Sequence, residues 1–242
     1  MTDPTNPAPT HFDVARGGTP DAAWRAAACS CPEWSPTSTA LLVIAPHPDD
    51  ETLGAGGLMY AMSRGGCPVT VLSVTDGEAA YPDWADLSAV RARELDAALF
   101  VLGAGAIRTH RLHVPDGRVA QAQSRLREAI EALALPTSLL VAPYERDGHP
   151  DHEAVGRACL EIAARMSLEL VRYPVWAWHH AGVELLANHR WVRYPLTRAG
   201  SSAKTQALQC FRSQFEPERR TPIVPAHVLP YFQRAYEMFA RW

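Results

Sequence analysis

The sequence lacks the features that mark several large classes of protein. Its 242 residues hold no long apolar run, and the most apolar stretch, 40–45, is too short to span a bilayer. The N-terminus has neither the cationic start nor the apolar core of a signal peptide. No long basic stretch is present and the formal net charge is −3, which argues against nucleic-acid and anionic-membrane partners. We therefore expect a soluble, cytoplasmic protein without a transmembrane segment.

Cysteine pairs and nucleotide-binding fingerprints are also missing. The five cysteines form no C-x-x-C pair, so neither a zinc ribbon nor a disulfide framework is indicated. The glycine-rich stretch "LGAGG" has Met59 where a dinucleotide fingerprint needs its third glycine. No P-loop and no G-x-S-x-G motif occurs, which argues against a P-loop nucleotide-binding protein and a serine hydrolase.

Short apolar runs alternate with helical segments after a proline-rich leader, residues 1–37. This alternation predicts one α/β domain over 38–242, with a Rossmann-like, mostly parallel sheet and helices on both faces. The expected strands are 40–46, 68–75, 138–143, 168–176 and 189–195. The expected helices are 21–28, 52–64, 87–102, 120–135, 152–167, 204–215 and 230–241.

Two segments of the form His-Pro-Asp-X stand between a predicted central strand and the helix that follows it. They are "HPDD", 47–50, and "HPDH", 149–152. Proline suits the first turn of a helix, where its missing N–H costs no hydrogen bond. Open α/β sheets bind their ligands at the carboxyl ends of parallel strands. We therefore expect the two segments to meet at one edge of the sheet.

The side chains of both segments suit zinc. His47 and Asp50 are three residues apart, as are His149 and His152, so each pair lies on one side of a first helical turn. A catalytic zinc site has three protein ligands and an open position for water. Four groups therefore compete for three places, and the same ligands also accept iron. The simpler alternative for the first segment is helix capping by its acidic residues.

The two segments, "APHPDDETLGAGG" and "DGHPDHEAVG", together resemble the PIG-L/LmbE family of zinc-dependent N-acetylglucosamine deacetylases. The resemblance extends to "TDGEA", "RARELDAALFVLG", "VPDGRV" and "KTQALQCFRSQ". It implies a Rossmann-like fold and one zinc ion per chain, held by His47, Asp50 and His152. The implied substrate is a small amino-sugar conjugate.

The resemblance also implies roles for the remaining side chains. Asp49 would be the general base and later the proton donor to the leaving amine. His149 would stabilise the oxyanion, held in orientation by Asp151. Arg91 and Asp116 would contact the substrate. From the residues alone, Arg91 fits equally a helix-face ion pair with Glu94, and Asp116 an ordinary Asp-Gly turn.

Other features of the sequence leave alternatives open. Glu51 is either part of the site or only an acid in the first turn of a helix. Some relatives carry Tyr two residues before the second motif, where this chain has Asp147, so the group that assists His149 is undetermined. Trp176 and Trp178 are two residues apart and would lie on one face of the expected strand. There they would form either a stacking surface for a sugar or part of the core or of a subunit contact. A homo-oligomer is therefore possible.

Three functions remain from the sequence. The first is a zinc hydrolase that removes an acyl group, most simply acetyl, from a glucosamine-type amine. The second keeps the fold and metal but cleaves another N-acyl or thiol-conjugate amide. The third is a non-catalytic sugar-binding protein, which the complete set of chemically competent residues disfavours.

Overall fold

The computed structural model describes residues 14, 17–187, 190–218 and 220–242. Its strands are β1 (Ala40–Ala45), β2 (Val69–Ser73), β3 (Ile107–Arg111), β4 (Ser138–Pro143), β5 (Glu169–Tyr173), β6 (Arg190–Pro195) and β7 (Tyr236–Arg241). Its α-helices are α1 (Asp21–Ala28), α2 (Asp50–Arg64), α3 (Leu87–Gly103), α4 (Gln123–Leu133), α5 (Pro150–Met166), α6 (Ala177–His180), α7 (Arg198–Leu208) and α8 (Arg212–Phe215). No helix among these residues is long and apolar enough to cross a membrane.

The strands form one sheet in the order β3-β2-β1-β4-β5-β7-β6. Strands β1 to β5 pair in parallel, whereas β7 runs antiparallel to both β5 and β6. The chain moves outward in one direction from β1 to β3 and then returns to place β4 on the other side of β1. This reversal of strand order is where α/β sheets open a crevice for ligands.

Helices cover both faces of the sheet, as predicted, because successive side chains of a strand point to opposite faces. In β1, Leu41 and Val43 belong to the core that includes α1, α2, α3 and α7. Leu42 and Ile44 belong to the core on the other face, with α4 and α5. Every residue of β1 is buried, which explains its unbroken apolar sequence.

The N-terminal leader is described from residue 17 onward, apart from Val14. Helix α1 packs its fully buried Trp24 into the core, with the indole N–H donating to the backbone oxygen of Trp178. The remainder of the predicted leader, 1–13 and 15–16, lies outside the described residues.

Several predicted elements differ from the structure. The expected helix over 230–241 is wrong: a short 3-10 turn, Leu229–Phe232, precedes β7, which lies between β5 and β6 in the sheet. The expected helix 204–215 is split into α7 and α8. Strand β3 is not among the strands expected above; it lies at an edge of the sheet, and its sequence IRTHR has one fully apolar residue among polar and charged ones.

Candidate active site

The two His-Pro-Asp segments meet at one edge of the sheet, as their sequence context predicted. β1 and β4 are adjacent and parallel, so the loops that follow them emerge side by side. The first loop enters α2 through Asp49, whose φ of 133° is rare for a residue other than glycine. Backbone strain of this kind persists where the surroundings enforce it, commonly at functional sites.

Three potential metal ligands form a close triangle at the junction of these loops. The Nδ1 atom of His47 lies 3.1 Å from Oδ2 of Asp50 and 3.2 Å from Nε2 of His152. The third side, from His152 Nε2 to Asp50 Oδ2, is also 3.2 Å. Ligand atoms of a tetrahedral zinc ion, with bonds of about 2.0–2.1 Å, lie about 3.3–3.4 Å apart. The predicted ligand set therefore fits a metal of this size.

Other groups around the triangle also have the chemistry of metal ligands. The sets His47–His149–His152 and His47–Asp116–Asp151 each place three donor atoms within 4.8 Å of one another. The structure thus brings all the predicted ligands together. It also places the carboxylates of Asp116 and Asp151 near Nε2 of His47. A buried His/Asp site able to hold a metal is present among the described residues.

The protonation of the triangle reflects strong mutual attraction. Burial alone would lower the pKa of His152, but the carboxylates of Asp50 and Asp147 outweigh it and raise this pKa to about 9. The pKa of His47 is likewise raised against burial, first by Asp116. Burial would raise the pKa of Asp50, yet the two imidazoles hold it well below its usual range. Protons and a metal cation would therefore compete for the imidazole nitrogens of His47 and His152.

Asp147 holds His152 in place. Both side chains are fully buried, and Oδ2 of Asp147 lies 2.8 Å from Nδ1 of His152. The same carboxylate accepts backbone N–H bonds from Val175, Trp176 and Ala177 at 2.8–3.0 Å. A carboxylate on the second nitrogen of a ligand histidine fixes its tautomer and ring orientation. This role was missed, because only the fold shows which histidine Asp147 reaches.

Arg91 contacts the first segment and not its helix neighbour. Its guanidinium donates to the backbone oxygens of Gly77 and Pro48 at 2.9 and 3.1 Å, and lies 3.7 Å from Oδ2 of Asp49. The alternative of an ion pair with Glu94 is wrong. The two Glu94 oxygens instead accept bonds from the backbone N–H and hydroxyl of Ser213.

Asp49 and Glu51 are buried carboxyls with raised pKa values. Burial and the adjacent Asp50 charge raise the pKa of Asp49 well above its usual range, with Arg91 opposing them in part. Burial raises the pKa of Glu51 to about 7. Glu51 also accepts the backbone N–H of Asp49 at 3.1 Å, so it is more than a solvated first-turn acid. A raised pKa brings a carboxyl closer to the range that general acid–base chemistry uses.

His149 is the N-cap residue of α5, and its Nδ1 accepts the backbone N–H of Asp151 at 3.3 Å. Burial, followed by the nearby imidazoles of His152 and His47, lowers the pKa of His149 well below its usual value. A neutral ring that accepts at Nδ1 carries its proton on Nε2. His149 is therefore a neutral N–H donor at the site.

The carboxylate of Asp151 has partners different from those expected. It accepts the backbone N–H groups of Gly117 and Val119 at 2.8 and 3.2 Å, and lies 3.6 Å from Nε2 of His47. Asp151 therefore contacts His149 through its backbone, and its carboxylate holds the loop that carries Asp116. Asp116 in turn lies 3.1 Å from Nε2 of His47, in addition to forming the predicted Asp-Gly turn.

A cavity of about 220 Å³ opens over these groups. Its polar side is lined by His47, Asp49, Asp50, Arg91, Asp116, Gly117 and His149. Its apolar side is lined by Val14, Leu53, Ala80, Val175, Trp176, Ile223 and Val224. Drug-sized ligand pockets usually measure about 300–1,000 Å³, so this cavity suits one small ring and its acyl substituent.

The two tryptophans do not share a strand face, because β5 ends at Tyr173, before both of them, and Trp178 lies in α6. Trp176 lines the cavity, whereas Trp178 is buried against Trp24 and Trp191. The Nε2 atom of His180 lies 3.0 Å from the backbone oxygen of Asp147, so this ring contacts the loop that leads into the second His-Pro-Asp segment.

Comparison with known proteins agrees with this geometry. Residues 42–163 match the family model described as PIG-L, GlcNAc-PI de-N-acetylase. The chain belongs to the PIG-L family. All the predicted ligands and candidate catalytic groups fall inside the matched range. The cavity residues Ile223 and Val224 lie beyond it, so part of the cavity wall is built by a segment outside the family match.

Two curated relatives are PIG-L-like deacetylases. A probable N-acetyl-alpha-D-glucosaminyl L-malate deacetylase 2 of Bacillus cereus is 29% identical over 139 residues, covering 53% of this chain and 63% of the relative. A 1D-myo-inositol 2-acetamido-2-deoxy-alpha-D-glucopyranoside deacetylase of Rhodococcus erythropolis is 32% identical over 157 residues, covering 51% and 53%. The alignments span between half and two thirds of these relatives.

Solved structures share the fold of this chain. A conserved protein of Thermus thermophilus is 28% identical with a TM-score of 0.55, covering 73% of this chain and 80% of that one. The N,N'-diacetylchitobiose deacetylase of Pyrococcus horikoshii is 21% identical with a TM-score of 0.62, covering 85% and 84%. These matches confirm the single α/β domain with a mostly parallel sheet.

Proposed function

We propose that this chain is a zinc-dependent hydrolase that removes an N-acyl group, in the first instance acetyl, from the amine of a glucosamine-containing conjugate. The observation that carries the proposal is the buried triangle of His47, Asp50 and His152 beside Asp49, whose backbone has a positive φ. The deacetylase relatives support the choice of bond.

The donor set fits zinc because it offers two imidazole nitrogens and one carboxylate oxygen at tetrahedral spacing. When bound, zinc supplies a water of lowered pKa and polarises the amide carbonyl. His47, Asp50 and His152 would hold the ion, with Asp147 and Asp116 fixing the outer nitrogens of the two histidines.

The remaining side chains perform the proton transfers and offset the developing charge. Asp49 takes the proton of the attacking water and delivers it to the departing amine. His149 donates its Nε2–H to the oxygen that becomes negative as the carbonyl is attacked. Arg91 keeps Asp49 oriented through its bonds to the surrounding backbone.

The substrate in this proposal is a small molecule recognised by one sugar ring. The cavity of about 220 Å³ has room for a ring and a short acyl group, which leaves the rest of a conjugate at its mouth. The proposal retains the cytoplasmic location expected from the sequence. The apolar wall of Leu53, Val175 and Trp176 also suits the second candidate, an amidase for another N-acyl compound.

The test is an assay of acetate and free amine from N-acetylglucosamine conjugates, with protein loaded with one equivalent of zinc. Other N-acyl amides and thiol conjugates form a parallel panel. We expect turnover by the wild type and by Asp96→Asn, a control at an exposed carboxylate. We expect none above background from His152→Ala. Tight sugar binding without any turnover across the panel would contradict the proposal and favour a binding protein.

A further inference from the structure

Helix α2 is broken one turn after the proposed ligand Asp50. Ala55, inside the helix, has φ −141° and ψ 17°, outside the helical region. In a regular helix the N–H of Gly57 donates to the backbone oxygen of Leu53. The break separates these partners, so the first turn of α2 is not held by the helix that follows it.

A buried ion pair fills this break. The carboxylate of Glu237 accepts the backbone N–H groups of Gly57 and Leu58 at 2.7 and 2.9 Å. The ammonium of Lys204 donates to the backbone oxygen of Leu53 at 2.8 Å and to Glu237 at 2.7 Å. One cation and one anion therefore replace the hydrogen bonds that the helix has lost.

The residue types at this pair are specific to the place. Lys204 is the only lysine in the sequence, where every other basic side chain except histidine is arginine. It is only 4% exposed, and Glu237 only 3%. A Cβ on Gly56 would lie 3.2 Å from Cγ of Lys204, so the stem of the lysine packs closely against α2.

The pair connects the site to distant parts of the chain. Lys204 lies on α7 and Glu237 on β7, both beyond the residues that match the PIG-L family model. The turn that the pair holds carries Asp50 in the triangle and Leu53 in the cavity wall. Burying two charges is costly, and hydrophobic residues of similar volume often serve stability as well. A gain in stability alone does not account for the pair.

We propose that Lys204 and Glu237 are positioning residues, which hold the break in α2 open and so place the carboxylate of Asp50 in the metal triangle. This inference rests on the proposed metal site. Without the pair, Gly57 would regain its bond to Leu53 as Ala55 becomes helical. The first turn would then rotate, and Asp50 would move away from His47 and His152.

The decisive variant is the double substitution Lys204→Met with Glu237→Leu. Because it removes both charges together, it leaves no buried charge unpaired and allows α2 to become regular. We expect a folded protein whose zinc affinity, measured by competition with a chelator, is at least about tenfold weaker, the scale of losing an outer-shell partner. The visible spectrum of the cobalt-loaded protein should also change, since the ligand geometry changes.

Two further variants keep the test informative if the double variant does not fold. Glu237→Gln keeps one oxygen for the backbone N–H groups and should weaken zinc binding less than the double variant. Ile130→Ala is the control: Ile130 lies on α4, and its truncation opens a cavity in the core on the opposite face of the sheet, which should lower stability while leaving zinc affinity unchanged.

The outcomes separate this inference from the proposed function. A wild type that binds no zinc would overturn the proposed function. Wild-type zinc binding together with affinities within twofold in the double variant, or in Glu237→Gln if the double does not fold, would overturn the positioning role alone. An equal loss of affinity in Ile130→Ala would also overturn it, because general destabilisation would then explain the effect.

Discussion

The two His-Pro-Asp segments follow equivalent strands, yet they enter their helices in different ways. The second enters α5 with His149 as N-cap and Pro150 in the first turn, and its helix is regular. The first enters α2 through the positive φ of Asp49, and its helix breaks at Ala55. The second segment therefore enters its helix by local helix chemistry, whereas the entry of the first depends on side chains from elsewhere, including Arg91 and the proposed Lys204–Glu237 pair.

This difference matches the division of labour in the proposed reaction. The strained segment carries Asp49, which handles protons, and the regular segment carries His152, whose position Asp147 fixes. Substitution of Asp49 should therefore affect turnover most, and substitutions around His152 should affect metal binding.

The largest effect is expected for Asp49→Asn. The amide cannot accept the proton of the attacking water, and loss of a general base typically costs about 10²–10⁴-fold in rate. We expect kcat to fall in that range with unchanged zinc content, as measured by steady-state kinetics and metal analysis. Turnover within tenfold of the wild type would show that the first segment has no proton-transfer role.

Asp147→Asn tests the second segment. The amide leaves His152 without its charged partner, which for ligand histidines costs about 10–100-fold in metal affinity. Zinc competition titrations should show this loss, and excess zinc should restore part of the activity. Unchanged affinity would mean that the helix alone positions His152. Glu161→Gln, on the exposed side of α5, serves as the control.

Glu51→Gln tests the buried carboxyl that follows the first segment. Burial raises the pKa of Glu51 from 4.5 to about 7, so the folded state retains a proton that the unfolded chain loses. Stability of the metal-free protein should therefore fall as pH rises from about 4.5 to 7, by up to about 3 kcal/mol. The variant should lose this slope in denaturant titrations. Parallel profiles for variant and wild type would contradict the account.

Zinc affinity should also depend on pH. Because the pKa of His152 is raised to about 9 in the metal-free protein, zinc must displace a proton at neutral pH. Affinity should therefore increase as pH rises from 6 towards about 9, with proton release detectable by calorimetry in buffers of different ionisation enthalpy. Affinity independent of pH below 8 would mean that His152 is already neutral.

Much of the fold and of the site could be predicted from local patterns. The apolar runs that became β1 and β4 and the two motifs after them were sufficient to place the candidate site at one edge of a parallel sheet. The partners of Asp151 and Asp116 could not be predicted, because they arise from contacts between loops far apart in sequence. Asp147 is close to His152 in sequence, but its carboxylate is held there by the distant backbone N–H groups of 175–177.

The C-terminal region shows a different limit. Residues 236–241 read YEMFAR, a run of residues compatible with a helix, but they pair between β5 and β6. Sheet pairing overrides local propensity there, as tertiary context often does. The contact of Glu237 with the backbone of α2 could not be predicted for the same reason, since it depends on where β7 lies in the sheet.

The central claim is tested most directly by anomalous diffraction at the zinc edge from crystals of the zinc-loaded protein. The account predicts one peak about 2.0–2.2 Å from Nδ1 of His47, an oxygen of Asp50 and Nε2 of His152. A peak held instead by His47, Asp116 and Asp151, or by His47, His149 and His152, the two other sets with suitable donors, would contradict it.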